Sequence, residues 1–164
     1  MTAPKPTEPS SVRALRHLLH PDPMVSAALK GHLLIEESLN RLLAGLARAP
    51  EHIDQAALRL SFHQKQKLVR AFGPPAEGET AVWRLIELLN ALRNDLAHTL
   101  ESEGFDAKLD ALLTEWAKLR ITSPFVDPDE GPEARITGVV SYCLGWLWGY
   151  EKEVTGINPI GSDR

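Results

Sequence analysis

The chain has 164 residues, 43% of them hydrophobic and 24% charged, enough for one domain with a hydrophobic core and too apolar for wholesale disorder. A formal net charge of −4 lacks the global basic field of a dedicated duplex-DNA binder. A lone cysteine, Cys143, excludes an intramolecular disulfide and a cysteine-rich zinc site; in its apolar run it reads as a small buried side chain.

Residues 1–9 carry Pro4, Pro6 and Pro9 and no apolar stretch of a signal peptide, and they read as a flexible arm. Ser10 or Ser11 can cap a short helix through about His20, ended by Pro21 and Pro23. The next helix is the longest, about Met24 to Arg48, closed by Pro50. Its apolar residues Val25, Ala28, Leu29, Ile35, Leu39, Leu42, Leu43 and Leu46 recur mostly at steps of three and four, one face of an α-helix. Leu33 and Leu34 widen that stripe, as expected of a central helix touched on more than one side.

Asp54 can cap a short helix through about Arg59. Ser61 then opens a capping box with Gln64, and that helix runs through Phe72. Gly73-Pro74-Pro75 is the stop, with Gly suited to a left-handed cap. Segment 59–70 holds Arg59, Lys65, Lys67 and Arg70 with no acid among them. Thr80 can cap the following helix, with apolar Val82, Leu85, Ile86, Leu89, Leu92 and Leu96. Another helix follows Gly104, from about Asp106 to Leu119. The stretch from Ile121 to Pro132 reads as a loop. A last helix spans about Glu133 to Val154. Its core, Ile136 to Tyr150, is shorter than the roughly 20 residues of a membrane span. No stretch alternates like a strand.

The expected fold is therefore all-α, an antiparallel helical bundle over 10–154 as a single domain, with a polar tail over 155–164. A cytoplasmic location without membrane association fits these features. His17, His20, His32, His52 and His63 show no metal-ligand spacing, and no glycine-rich phosphate loop is present, so neither metal nor cofactor is expected. His32 precedes Glu36 by one helical turn and reads as its partner. Trp146, Trp148 and Tyr150 read as core or subunit packing, with Gly138, Gly145 and Gly149 permitting close helix contact.

Arg93-Asn94-Asp95-Leu96-Ala97-His98 is the stretch that can carry chemistry. Arg93 falls near the centre of the apolar stripe, an odd place for a guanidinium that cannot shed its charge. Arg93 and His98 differ by about 7.5 Å of rise and about 140° of rotation on an ideal helix. Asn94 and His98 share a face. In a purely structural role, Arg93 pairs with Glu36 or Glu37 of the long helix, and His98 complements the helix C-terminus. In a chemical role, His98 takes a proton from a ribose 2′-OH, Arg93 stabilises the crowded phosphorus centre, and Asn94 orients them. Lys65, Lys67 and Arg70 then offer contacts to RNA phosphate, against a simpler role as a solvated helix face.

Arg93-Asn94-x-x-x-His98 resembles the Arg-x4–6-His motif of the HEPN superfamily, in which a polar residue, often Asn, follows the Arg. The surroundings are similar as well: Gly31-His32-Leu33-Leu34-Ile35-Glu36-Glu37, then Leu60-Ser61-Phe62-His63-Gln64-Lys65-Gln66-Lys67, then Leu89-Asn90-Ala91-Leu92-Arg93-Asn94. The resemblance covers about residues 24–100. It implies a HEPN-like bundle that dimerises through its motif helices and binds RNA or a nucleotide. Many such proteins are metal-independent endoribonucleases of toxin–antitoxin or defence systems with an operon-encoded partner. Arg93 and His98 would be the catalytic pair and Asn94 the auxiliary residue. A two-fold axis can bring Arg93 of one copy to His98 of the other. Thr99 and Leu100 stand where some toxin members carry a modifiable tyrosine. The segment from Leu60 to Gly73, with Leu92-Arg93-Asn94, is also similar to mannitol-operon repressor-like proteins. That second similarity implies a non-catalytic helical transcriptional regulator or protein-interaction module.

Overall fold

The computed structural model describes residues 22–53, 58–98, 103–120 and 131–156. The described residues form an all-α bundle of five helices, with no strand among them: α1 (Pro23–Leu46), α2 (Phe62–Phe72), α3 (Glu79–His98), α4 (Glu103–Lys118) and α5 (Pro132–Thr155). The short helices expected after Ser10 and Asp54 begin outside the described residues, as do residues 121–130 of the expected loop. None of the described helices is long and apolar enough to cross a membrane.

Asp22 starts α1 by accepting the Met24 N–H at 2.8 Å. Pro23 is the first residue of this helix, where its missing N–H leaves no bond unmade. The helix ends at Leu46, and Pro50 opens a 3₁₀ turn through His52. The capping box of α2 forms as the spacing predicts: Gln64 N–H donates to Ser61 Oγ at 3.3 Å, and Ser61 N–H donates to Gln64 Oε1 at 2.8 Å.

Gly73 departs from expectation. It is extended, at φ −79° and ψ 156°, not left-handed. Space explains the glycine: a Cβ there would overlap the Tyr150 hydroxyl, which donates to Pro74 O at 2.8 Å. The left-handed turn comes later, at Gly78 with φ 72°. Consequently α3 starts at Glu79 and Thr80 lies inside it. Gly104 likewise lies inside α4, which begins before Asp106.

The core is drawn from all five helices, α2 adding Phe62 and Val69. Ile35, Leu39 and Leu42 of α1 meet Val82, Leu85, Ile86 and Leu89 of α3, Leu112 of α4, and Ile136, Val139 and Leu147 of α5, all fully buried. Helix α1 is central as expected, packed on α5, α2 and α3. Cys143 is buried among them, and burial pushes its thiol up to about 12.

The antiparallel arrangement does not hold between α1 and two of its neighbours, α5 and α2. Gly31 abuts Val140, Arg41 binds Glu151, and Gly45 abuts Thr155, so the register of α1 and α5 rises together and the two helices run parallel. The same holds for α1 and α2, where His32 stacks on Phe62 and Glu36 binds Lys65. The connection from Ala47 to Ser61 makes this possible. At up to about 3.3 Å per residue it can carry the chain back along α1 before α2 begins.

The aromatic end of α5 fastens the loop before α3. Trp146 Nε1 donates to Glu77 O at 2.9 Å, and its ring packs edge-on against Trp83 at 5.5 Å and stacks on Tyr150 at 5.0 Å. Trp148 is exposed, beside Gly145 and Gly149, whose missing side chains face open space, whereas Gly138 is buried.

Candidate functional site

Helix α3 carries Asn90, Arg93 and Asn94 within about one turn of each other, Asn90 hydrogen-bonded to His32 of α1, and His98 is its last residue. Leu92 is fully buried and Asn94 exposed. Arg93 lies between them, half-buried at the border of the stripe and not at its centre. Its Nη1 donates to Asn94 Oδ1 at 3.2 Å.

The carboxylates expected to hold Arg93 are engaged elsewhere. Glu36 accepts from Lys65 Nζ at 2.7 Å, and Glu37 meets Arg41 at 3.3 Å. Arg41 also binds Glu151 at 3.1 Å and donates to Ser38 Oγ at 3.1 Å. Asp95 is bound by Lys108 of α4. Among the described residues, Arg93 has no ion pair with a carboxylate.

One turn before Arg93, Asn90 is tied to α1. Its Oδ1 accepts from His32 Nε2 at 3.0 Å. With a carbonyl as acceptor, Nε2 carries the hydrogen, and Nδ1 is a bare acceptor. That nitrogen is buried with no hydrogen-bond partner. The ring stacks on Phe62 at 4.3 Å. Burial lowers the His32 pKa below its ordinary 6.5, opposed by the Asn90 hydrogen bond and the Glu36 charge and assisted by the Arg93 and Lys65 charges. The imidazole is therefore neutral at pH 7, and its partner is Asn90, not the Glu36 that helical spacing suggests. Sequence spacing does not reveal His32 as the buried support behind this site, because its partner lies 58 residues away.

The three cations considered for phosphate contact have different surroundings. Lys65 is buried and holds Glu36. Arg70 meets Glu87 at 3.5 Å and lies over the Trp83 ring at 6.0 Å. Lys67 is exposed. Gln66, fully buried beside them, donates to Trp83 O at 3.2 Å and so fastens α2 to α3. The side chain of His98, and hence its position relative to Arg93, lies outside the described residues. No cluster of His, Cys, Asp or Glu suited to a metal ion occurs among the described residues.

Comparison with protein families, with curated proteins and with solved structures finds no match to this chain.

Proposed function

We propose that the chain is a HEPN-like helical domain that binds RNA or a nucleotide at the α3 surface carrying Arg93 and Asn94, and that acts as a metal-independent endoribonuclease of toxin or defence type. The observation that carries this reading is the state of Arg93: a half-buried guanidinium at the border of the buried stripe, its one described hydrogen bond to a neutral asparagine and no described carboxylate neutralising it. Such a cation is matched by a phosphate, which a guanidinium holds bidentately. Glu36, Glu37 and Asp95, the acids nearest in sequence position or fold, are each engaged by another cation.

In this mechanism His98 takes the 2′-OH proton, the 2′-oxygen attacks phosphorus, and the 5′-oxygen leaves and takes up a proton. Arg93 stabilises the negative charge on the phosphoryl oxygens. The five-residue spacing of Arg93 and His98 is met across a two-fold axis, each copy supplying one member of the pair. The protein would act in the cytoplasm under control of an operon-encoded partner.

The test incubates purified protein with mixed RNA in EDTA beside His98→Ala and Arg93→Ala. Wild-type cleavage should fall by about 10²-fold or more in each variant, with the folded state retained because Arg93 holds no described ion pair. Absence of cleavage by the wild type, or equal cleavage by all three, sinks the nuclease. Light scattering showing a monomer at micromolar concentration removes the shared site.

A second reading has its own observation. Lys65 and Arg70, two of the three cations available for phosphate, are held by Glu36 and Glu87. That favours a non-catalytic regulator or protein-interaction module built on the same bundle. In that case RNA is neither bound nor cut, and Arg93→Ala leaves RNA retention unchanged in a filter assay.

A further inference from the structure

Away from Arg93, the C-terminal end of α1 and the outer face of α2 enclose an apolar cleft of about 360 Å³, within the ~300–1,000 Å³ typical of ligand pockets. Leu43 and Leu46 of α1, Leu68 and Phe72 of α2, and Leu58 and Leu60 of the link between them form its walls. The side chains at its lip are unusually open: Phe72 is 67% exposed and Leu58 51%.

Arg48 is the single charged residue among the cleft's described lining residues. Arg59 stands between Leu58 and Leu60, exposed and in the left-handed region at φ 47°. A non-glycine residue held there is strained, and backbone strain concentrates at ligand clamps. Neither Arg48 nor Arg59 is in an ion pair among the described residues. Lys67 is exposed on α2, beside Leu68. Glu51, the acid of this link among the described residues, lies 3.9 Å from His52, which leaves Arg48 and Arg59 as the unpaired charges beside the apolar floor.

We propose that this cleft docks an apolar helix of a partner protein that carries acidic residues beside its apolar anchors. The anchors fill the space between α1 and α2, as in helix-in-groove recognition. Acidic side chains meet Arg48 and Arg59 at the rim, which sets orientation and discriminates against basic segments. Nucleic acid also carries negative charge, but a floor made of leucine and phenylalanine side chains offers its phosphates no donor. The exposed Phe72 ring and the leucine walls fit aliphatic anchors instead.

The test selects from a phage-displayed library of random peptides against the full-length chain, with oligouridylate RNA as competitor. Enriched peptides are expected to combine apolar residues at helical spacing with Asp or Glu beside them. Their affinity should fall about tenfold or more for Phe72→Glu, since truncating or charging an anchor site removes most of the local binding energy. Arg48→Glu should shift selection toward basic peptides. Both positions are exposed, and an unchanged unfolding midpoint confirms that each variant folds. The proposal is overturned by no enrichment, by enriched peptides that are basic, by binding indifferent to Phe72→Glu, or by RNA displacing the selected peptides.

Discussion

His32 Nε2 stands 3.0 Å from Asn90 Oδ1, joining the middle of α1 to α3 one turn ahead of Arg93. The hydrogen bond crosses the same packed interface in which His32 stacks on Phe62 of α2. One neutral imidazole therefore touches all three helices that frame the candidate site. Its other nitrogen finds no described partner, so a proton added there would place an unpaired charge in the core.

That arrangement gives stability a pH dependence. Burial lowers the folded-state pKa of His32 below 6.5, so near and below that pH the unfolded chain binds the proton more readily than the folded one. The contribution is complete above pH 6.5 and is lost as pH falls through the folded-state value. Urea midpoints measured from pH 8 to 5 should decline on the acidic side. His32→Phe should flatten this decline while lowering the midpoint at pH 8, because Asn90 Oδ1 loses its partner at a cost of about 1–3 kcal/mol. Identical pH profiles for both proteins contradict this role for His32.

Lys65 and Glu36 make the second tie between α1 and α2, at 2.7 Å, with Lys65 the more buried of the two. Lys65→Met leaves a half-buried carboxylate without its cation and should cost about 2 kcal/mol, reduced from the fully buried case by the partial exposure of Glu36. Adding Glu36→Gln to Lys65→Met should recover part of that loss. A double-mutant cycle in urea reads the coupling, and strictly additive effects would show that the pair does not couple.

Gly31 lets α1 and α5 approach. A Cβ at this position would overlap Val140 Cγ2. Gly31→Ala should therefore destabilise by about 1–3 kcal/mol through overpacking, even though alanine is the better helix former by about 1 kcal/mol. Val140→Ala should suppress the effect in the double variant. A stabilised Gly31→Ala protein would show that the two helices can move apart freely.

Much of the fold is legible in local sequence because local chemistry decides it. Ser61 and Gln64 lie at the spacing of a capping box, and both of its hydrogen bonds form. The three-and-four spacing of Ile35, Leu39 and Leu42 places them on one buried stripe, since a period of 3.6 residues turns spacing into a face. Gly73 was misread for the opposite reason. Its need for glycine comes from Tyr150, on another helix. Thr80 and Gly104 mislead because a cap residue or a glycine marks a boundary only when the neighbouring turn uses it.

The candidate site divides along the same line. The sequence by itself determined that Arg93 and Asn94 belong to a long amphipathic helix, because periodicity is a property of consecutive residues. Only the tertiary structure decided which partners surround them. Glu36 and Glu37 were equally available to Arg93 by composition, yet Glu36 is bound by Lys65 and Glu37 by Arg41. Asn90 binds His32 across 58 residues, and the parallel course of α1 and α2 sets the cleft near Phe72. Those pairings depend on how helices return through their connections and on which side chains meet when they do. Side-chain spacing along one helix carries no record of either.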